Sequence, residues 1–475
     1  YAMFLTLNDE RATREVQRGY VHRQYPAAVF DWLYPRGSAW DAPLLGRRVA
    51  AQALPGPESL NIRARETDIA ASAPPFDSDD IMPGSNNWAV SGRHTATGSA
   101  IVASDMHLSI TTPNVFYRAR FVVAGESDVK GLTLPGTPVM VAGSNGHVAW
   151  SFTNSQGDWS DAVIVRPGEQ SGTYLTPDGP ESFREYDEMI EIAGAGPQRL
   201  TVRETRWGPV LDDVYWPEGE IAVRWIAHDP TGVNIAQVAL ETAETLDAAL
   251  DIANRMGIPP QNFVAGDTAG NIGWTIAGRI PIRGDFDAWL PADWSSSGGW
   301  DGWLDPAAYP RIVNPESGRI WTANARVVGA PDIGVIGDGG YALGARAGQI
   351  RDALFDKERF QPADMLDIQL DDRALFLKRW RRLILRTLGD RNVFREPDRA
   401  MYRQLVQAWI PRASVDSVGY RLVREFRIDV RNRVFEMLVA PVREGLNEDT
   451  RLRISNQFEE PLWQLLDERP LHLLS

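Results

Sequence analysis

Apolar positions change their spacing along the chain, and each change marks a different kind of element. From residue 10 to 34 they fall at mixed spacing among Arg and Glu, then run into YPRGSAWDAPLLG, where Pro, Gly and Ser gather. That pattern predicts a helical lead-in ending in a loop. Residues 64–84, ARETDIAASAPPFDSDDIMPG, hold two adjacent prolines, clustered Asp and small residues, a composition that resists helix and strand alike and predicts an exposed linker. After Ser85 come short alternating or apolar runs bounded by turn residues: NNWAVSG, SAIVASD, FYRARFVVAG, VMVAGSNGHVAWSFTN, DAVIV, QRLTVRE, EIAVRWIAHD and NFVAGDTAGNIGWTIAG. Period-two runs separated by Asn-Gly or Ala-Gly-Asn turns signal hairpins, so a large antiparallel sheet system or two stacked sheets is expected up to residue 330. Between the strands, ETAETLDAALDIANRMG reads as a helix with Thr caps and a Gly stop. From residue 345 onward, RAGQIRDALFD, ADMLDIQLDDRALFLKRWRRLILRTL and YRLVREFRIDVRNRVFEMLVAPV show helical spacing with charged opposite faces. The class is α+β, divided into helical residues 1–63, the linker 64–84, a β-rich body over 85–340 and a helical part over 341–475.

Composition narrows the partners. An apolar content of 43% over 475 residues allows one or two substantial cores. With 49 Lys and Arg against 63 Asp and Glu, the net charge is −14, which argues against a non-specific hold on nucleic acid or an anionic membrane, since both need a cationic surface. Neutral or small partners are expected instead. The absence of Cys removes disulfides, thiolate nucleophiles and Cys-type zinc sites together, leaving stability to packing and to any oxygen-ligated metal. No run reaches the roughly 18 apolar residues that suggest a membrane span, and the opening residues show no leader-cleavage pattern. The 17 Trp are scattered, which suits core anchoring better than a ligand platform.

The candidate chemistry is found by elimination first. The six His are single, with no pair at the i, i+4 spacing that clamps zinc. There is no G-x-S-x-G elbow, and GSNGH at Gly143 to His147 lacks the second Gly and the Lys-Ser/Thr pair of a phosphate cradle. What remains is Ser85, which follows Gly84 and the linker and precedes a strand pattern. Cutting the Gly84–Ser85 bond would set a free α-amine beside its own hydroxyl. Such an amine has a pKa of about 7.7–8.0 and can take the hydroxyl proton, so one residue would supply nucleophile and base. Gly-Ser after a loop also describes an ordinary linker.

The surrounding residues decide more. MPGSNNWAVSGRHTATGSAIVASDMHL resembles the start of the mature β-chain in the penicillin acylase family: Ser85, Asn86, Trp88, Ala89 and Val90 fit its opening motif, and the second strand ends in Asp105-Met106-His107-Leu108, with Met106 where Pro is usual. PGTPVMVAGSNGHVAWSFTNSQGDWSD, PPQNFVAGDTAGNIGW (with Gly266 where Ala is common), GRIPIR and NPESGRIWTANAR resemble further family segments in the same order, and WLYPRGSAWDAPLLG resembles the end of its α-chain. The resemblance spans residues 28 to 330. It implies an αββα sandwich of the N-terminal-nucleophile hydrolase type with a C-terminal helical elaboration. The activity implied is hydrolysis of an acyl amide through acyl-Ser85 after autoproteolysis at Gly84–Ser85, with no catalytic cofactor.

Residue roles follow from the same resemblance. The oxyanion would be held by the Asn262 side-chain amide and the Asn154 backbone N–H. His107 would orient Ser85 and assist precursor cleavage, and Arg283 would help place Asn262 and the amine. Asp158 and Asp161 match paired acids that bind a structural calcium, with Asp267 as a third oxygen donor. His107 tilts the small-molecule substrate towards aliphatic acyl amides, including acyl-homoserine lactones or glutaryl groups. The implied location is periplasmic or secreted, with α- and β-chains of one precursor staying together after cleavage. Family members are usually longer, so the chain reads as incomplete at both ends or as a short divergent member. Taken singly, Asn262 could cap a turn, Arg283 could be a surface ion pair and His107 a half-buried histidine. The competing readings are a Trp-rich extracellular binding protein with an uncut linker, and an inactive, unprocessed acylase homologue.

Overall fold

The computed structural model describes residues 1–63, 84–108, 111–212, 215–217, 219–329, 332–390, 396–443, 446 and 450–473. Of the expected linker, only Gly84 falls within them. The chain forms two compact units, Tyr1–Ala53 with Pro83–Gln361 and Leu446–Gln457, and Leu54–Met82 with Pro362–Gly445 and Phe458–Ser475. These do not follow the divisions expected from sequence. The helix Ala345–Phe355 belongs with the β-rich unit, because the Arg319 side chain on the strand Arg319–Thr322 donates from Nε to the Leu354 carbonyl at 2.6 Å.

The first unit opens with helices α1 (Ala2–Leu7), α2 (Thr13–Gln24) and α3 (Ala27–Leu33). Strands β1 (Gly84–Val90) and β2 (Ile101–His107) pair antiparallel, and the strand Arg319–Thr322 joins β1 on its other edge to complete a three-stranded sheet. A seven-stranded sheet contains β3 (Tyr117–Val123), β4 (Ser127–Thr133), β5 (Ala142–Ser144) and β6 (Val148–Asn154). It is completed by the strands Gln261–Asp267, Ile272–Ala277 and Arg311–Val313. A third sheet, of six strands, contains β7 (Ser160–Val165). The expected hairpin at SNGH is present: β5 turns into β6 through Gly146 at φ +91°, a conformation glycine adopts without a Cβ clash.

Side-chain alternation decides which face each sheet buries. Trp150, Phe152, Phe263 and Ala265 project from one face of the seven-stranded sheet onto Leu246, Ala249 and Leu250 of helix α4 (Leu246–Ala253), forming an apolar core. Helix α4 starts as its sequence predicts, with the Thr245 side chain accepting from the Ala248 N–H. The opposite face lies under the three-stranded sheet, where the Asn87 amide on β1 donates to the Ser151 carbonyl on β6 at 3.0 Å. The helix Ala345–Phe355 covers the far side, so the order of layers is helix, sheet, sheet, helix.

The second unit is helical, as expected, with helices Pro362–Gln369, Lys378–Thr387, Pro397–Gln407, Val418–Arg443 and Glu459–Glu468. Its core holds a fully buried acid, Glu459, which takes hydrogen bonds from the indoles of Trp380 (2.7 Å) and Trp463 (3.1 Å) and pairs with Arg427. Tryptophan serves packing throughout the molecule: Trp32, Trp88, Trp225, Trp274, Trp294 and Trp380 are all fully buried. Among the described residues, no helix is long and apolar enough to cross a membrane.

Candidate functional site

Ser85 is the second residue of β1, held by the fully buried Trp88, Ala89 and Val90 that follow it in the strand. The antiparallel register places Gly84 opposite His107, Ser85 opposite Met106 and Asn86 opposite Asp105. Three groups converge on Ser85. The Asn154 backbone N–H donates to its Oγ at 3.2 Å, the Asn324 Nδ2 donates to the same oxygen at 3.3 Å, and the Ser85 N–H donates to Asn324 Oδ1 at 2.8 Å. Asn324 Nδ2 also donates to the Asn154 carbonyl at 3.0 Å, tying the two donors together.

Asn324 follows the strand Arg319–Thr322, which pairs with β1, and has φ +54°. Asn is among the few side chains that tolerate the left-handed region, and such conformations concentrate at functional sites. Arg346, on the helix packed behind that strand, fixes the rest. Its Nη1 donates to the Ser85 carbonyl (3.1 Å), to Asn86 Oδ1 (2.5 Å) and to His107 Nε2 (3.3 Å), and its Nη2 donates to Asn324 Oδ1 (3.0 Å). Burial pulls the Arg346 pKa down to about 10, partly offset by Asp105, so at neutral pH it stays a cation.

His107 lies beside the bond that would be cut. A methyl group at residue 84 would come within 2.3 Å of His107 Nε2, so glycine is what allows the close approach. Since arginine only donates, His107 Nε2 is the acceptor towards Arg346, leaving the ring proton on Nδ1, which lies 3.2 Å from the Asp105 carbonyl oxygen and 3.8 Å from its carboxylate. For Asp105, burial alone would raise the pKa; hydrogen bonds from His107 and Asn86, with Arg346 nearby, outweigh it and leave it below the usual value.

Two expected residues lie elsewhere. The amide brought to Ser85 is that of Asn324, not Asn262: on the strand Gln261–Asp267 the Asn262 Oδ1 accepts from the Trp274 indole at 3.0 Å. The guanidinium at Ser85 is that of Arg346, not Arg283. Arg283 Nε bonds both Asp161 oxygens (3.2 and 3.0 Å), and its Nη2 donates to the Asp158 carbonyl at 2.8 Å and lies 3.5 Å from the Asp158 carboxylate. The physical reason is sheet order. The strand Arg319–Thr322 pairs with β1 directly, whereas Gln261–Asp267 lies in the other sheet beside β6.

The acids expected to bind calcium do not fit that role here. Asp161 is filled by Arg283 and by the Trp300 indole at 2.6 Å. Asp267 instead caps the turn to Asn271 and accepts from the Leu246 N–H. Among the described residues, no group of three or more acidic or histidine side chains is arranged to hold a metal. Arginine balances the buried charge instead. Glu15 on α2, a residue without a sequence signal, accepts the Ala162 N–H at 2.9 Å beside Asp158 and Asp161. Burial is the main force pushing these carboxyls up, and Asp158 reaches about 8 despite Arg283, with Asp161 adding to the rise. Arg283→Met is therefore expected to destabilise the fold by about 3–5 kcal/mol, because it leaves the buried Asp161 without the cation it pairs with. Urea unfolding checks this, and a loss under about 1 kcal/mol would show the pair to be dispensable.

Two stacked sheets between helical layers, with a serine at the start of a central strand, make this the αββα sandwich of the N-terminal-nucleophile hydrolases. The fold is shared with a thermostable penicillin G acylase from Alcaligenes faecalis, at TM-score 0.64 and 20% identity over 81% of this chain and 72% of that one. A sequence model described as penicillin amidase matches residues 1–469, and the chain belongs to that family. Relatives include a penicillin acylase 2 proenzyme from Pseudomonas sp. (strain SE83), 31% identical over 57% of this chain and 37% of the relative. An acyl-homoserine lactone acylase from Pseudomonas aeruginosa is 29% identical over 62% of this chain and 36% of the relative. The chain thus spans little more than a third of the length of these relatives.

Proposed function

We propose that this chain is the catalytic part of an acylase that removes an acyl group from a linear amide through an acyl-Ser85 intermediate, after cleavage of its own Gly84–Ser85 bond. The observation that carries the reading is the convergence of two N–H donors, from Asn154 and Asn324, on Ser85 Oγ at 3.2 and 3.3 Å. When the hydroxyl turns to attack, the substrate carbonyl oxygen takes its place between those donors, and the charge growing on that oxygen is met by dipoles already in position.

Cleavage creates the base. The new α-amine of Ser85 keeps Asn324 Oδ1 as its acceptor and faces the Arg346 cation, which contacts the Ser85 carbonyl. The ordinary pKa of such an amine, about 7.7–8.0, leaves a usable fraction as free base near neutral pH, and a neighbouring like charge disfavours the ammonium form. The amine takes the Oγ proton as Oγ bonds to the carbonyl carbon, and returns it to the leaving amine as the C–N bond breaks. Water then attacks the ester by the same route in reverse. In the uncut chain His107, with Nε2 unprotonated beside Gly84, assists the first cleavage.

The test is intact-mass measurement of the purified protein before and after a serine-directed acylating reagent. Two chains, the larger beginning Ser85-Asn86-Asn87-Trp88 and carrying one label, are expected. A single unlabelled chain would rule the mechanism out for this protein and favour a binding protein or an inactive homologue. A periplasmic or secreted location belongs to the same proposal.

A further inference from the structure

The amide displaced from its expected role points to a second feature of the site. Three buried polar atoms lack a hydrogen-bond partner in the protein and gather next to the oxyanion donor: Ser151 Oγ, Thr153 Oγ1 and Asn262 Nδ2. Their residues are at most 1% exposed. Thr153 immediately precedes Asn154. The register sets Asn262 opposite Thr153 and Val264 opposite Ser151, and alternation along each strand puts all three polar side chains on one face of the sheet. That face lies towards β1 and Ser85, because the other carries Phe152 and Phe263 into the core against α4.

The chemistry on offer is specific. The Trp274 indole can only donate, so its 3.0 Å bond fixes Asn262 Oδ1 towards Trp274 and leaves Nδ2 as the group presented. A buried donor left unmatched carries its full desolvation penalty, and three on one face at a catalytic serine call for a functional explanation. Beside them the same face holds Val264, Trp274 and Ile276, which are apolar walls, while its cationic side chains, Lys130, Arg120 and Arg118, stand exposed on the outer strands β4 and β3. An ion would be left without a counter-charge there. A neutral oxygen on an otherwise apolar chain satisfies every group.

We propose that Ser151, Thr153 and Asn262 form a subsite for an oxygen-bearing acyl group, a hydroxy- or oxo-substituted chain. The inference rests on the acylase reading above and names its substrate class. A site built to hydrogen-bond an oxygen discriminates strongly against the analogue lacking it.

The experiment compares kcat/KM for p-nitroanilides of equal chain length, plain or bearing a hydroxyl or oxo group at successive positions, in the parent protein, Asn262→Leu and Thr153→Val. The latter keeps the side-chain shape and only removes the hydroxyl, so it stands if Asn262→Leu fails to fold. The expected result is a preference of about 100-fold for one oxygen-bearing chain in the parent, falling at least tenfold in a folded variant. A plain chain accepted equally well, or a preference that neither folded variant moves, overturns the subsite and identifies the three atoms as structural. Absence of acyl transfer to Ser85 by mass overturns the acylase reading itself, and the subsite with it.

Discussion

Ser85→Ala leaves one uncut chain and abolishes acyl transfer, with residual hydrolysis below about 10⁻⁵ of the parent rate, the scale on which loss of a hydrolase nucleophile acts. The substitution removes two functions at once. Without Oγ there is no nucleophile to attack the Gly84 carbonyl, so the α-amine is never released and the base never forms. Folding is expected to persist, since Trp88, Ala89 and Val90 hold β1 in the core without help from Ser85. Intact mass reads the first loss, chromogenic amide turnover the second, and circular dichroism checks that neither reflects an unfolded chain. Cleavage at Gly84 in the Ser85→Ala protein would mean that an external protease does the cutting. Turnover by that protein would place the nucleophile elsewhere.

How much of this was readable from sequence depended on the range of the interaction. Strand β1 was legible because Trp88, Ala89 and Val90 announce it locally, and the β5–β6 hairpin because Asn145-Gly146 turns only one way. The strand Arg184–Ile190 was not, since every residue in it is exposed and no apolar alternation marks it. Ser85 was found from its own setting, and Asn154 because its backbone N–H needs no particular side chain. Asn324 and Arg346 reach Ser85 from 239 and 261 residues away. The segment ending Thr322-Ala323-Asn324 resembles a family segment, yet Asn262 lies in one apolar strand and Asn324 just after another, and only sheet order says which lies beside β1. Asp158 and Asp161 carry a similar ambiguity. Two acids three residues apart suggest a metal, and nothing in that spacing reveals that Arg283, 122 residues beyond Asp161, brings its cation to both of them.

Asn324→Ala tests that corrected assignment most directly. Its Nδ2 is one of two donors at the oxyanion position, and losing a single such donor lowers kcat by about 10²–10³-fold. A second loss is added here, because Asn324 Oδ1 also accepts from the Ser85 nitrogen and from Arg346, so the α-amine loses the acceptor that aims its lone pair. The fall is therefore expected at or beyond the upper end of that range, in kcat more than in KM, since the lost contacts form with the transition state and not with the bound amide. Ser85 should still take up a reactive acylating reagent, more slowly. Asn262→Leu supplies the contrast: with Asn324 intact the oxyanion donors remain, so its effect should vary with the acyl chain offered, whereas that of Asn324→Ala should not. Equal losses on every acyl chain for both variants would return Asn262 to the oxyanion site and leave Asn324 a structural residue.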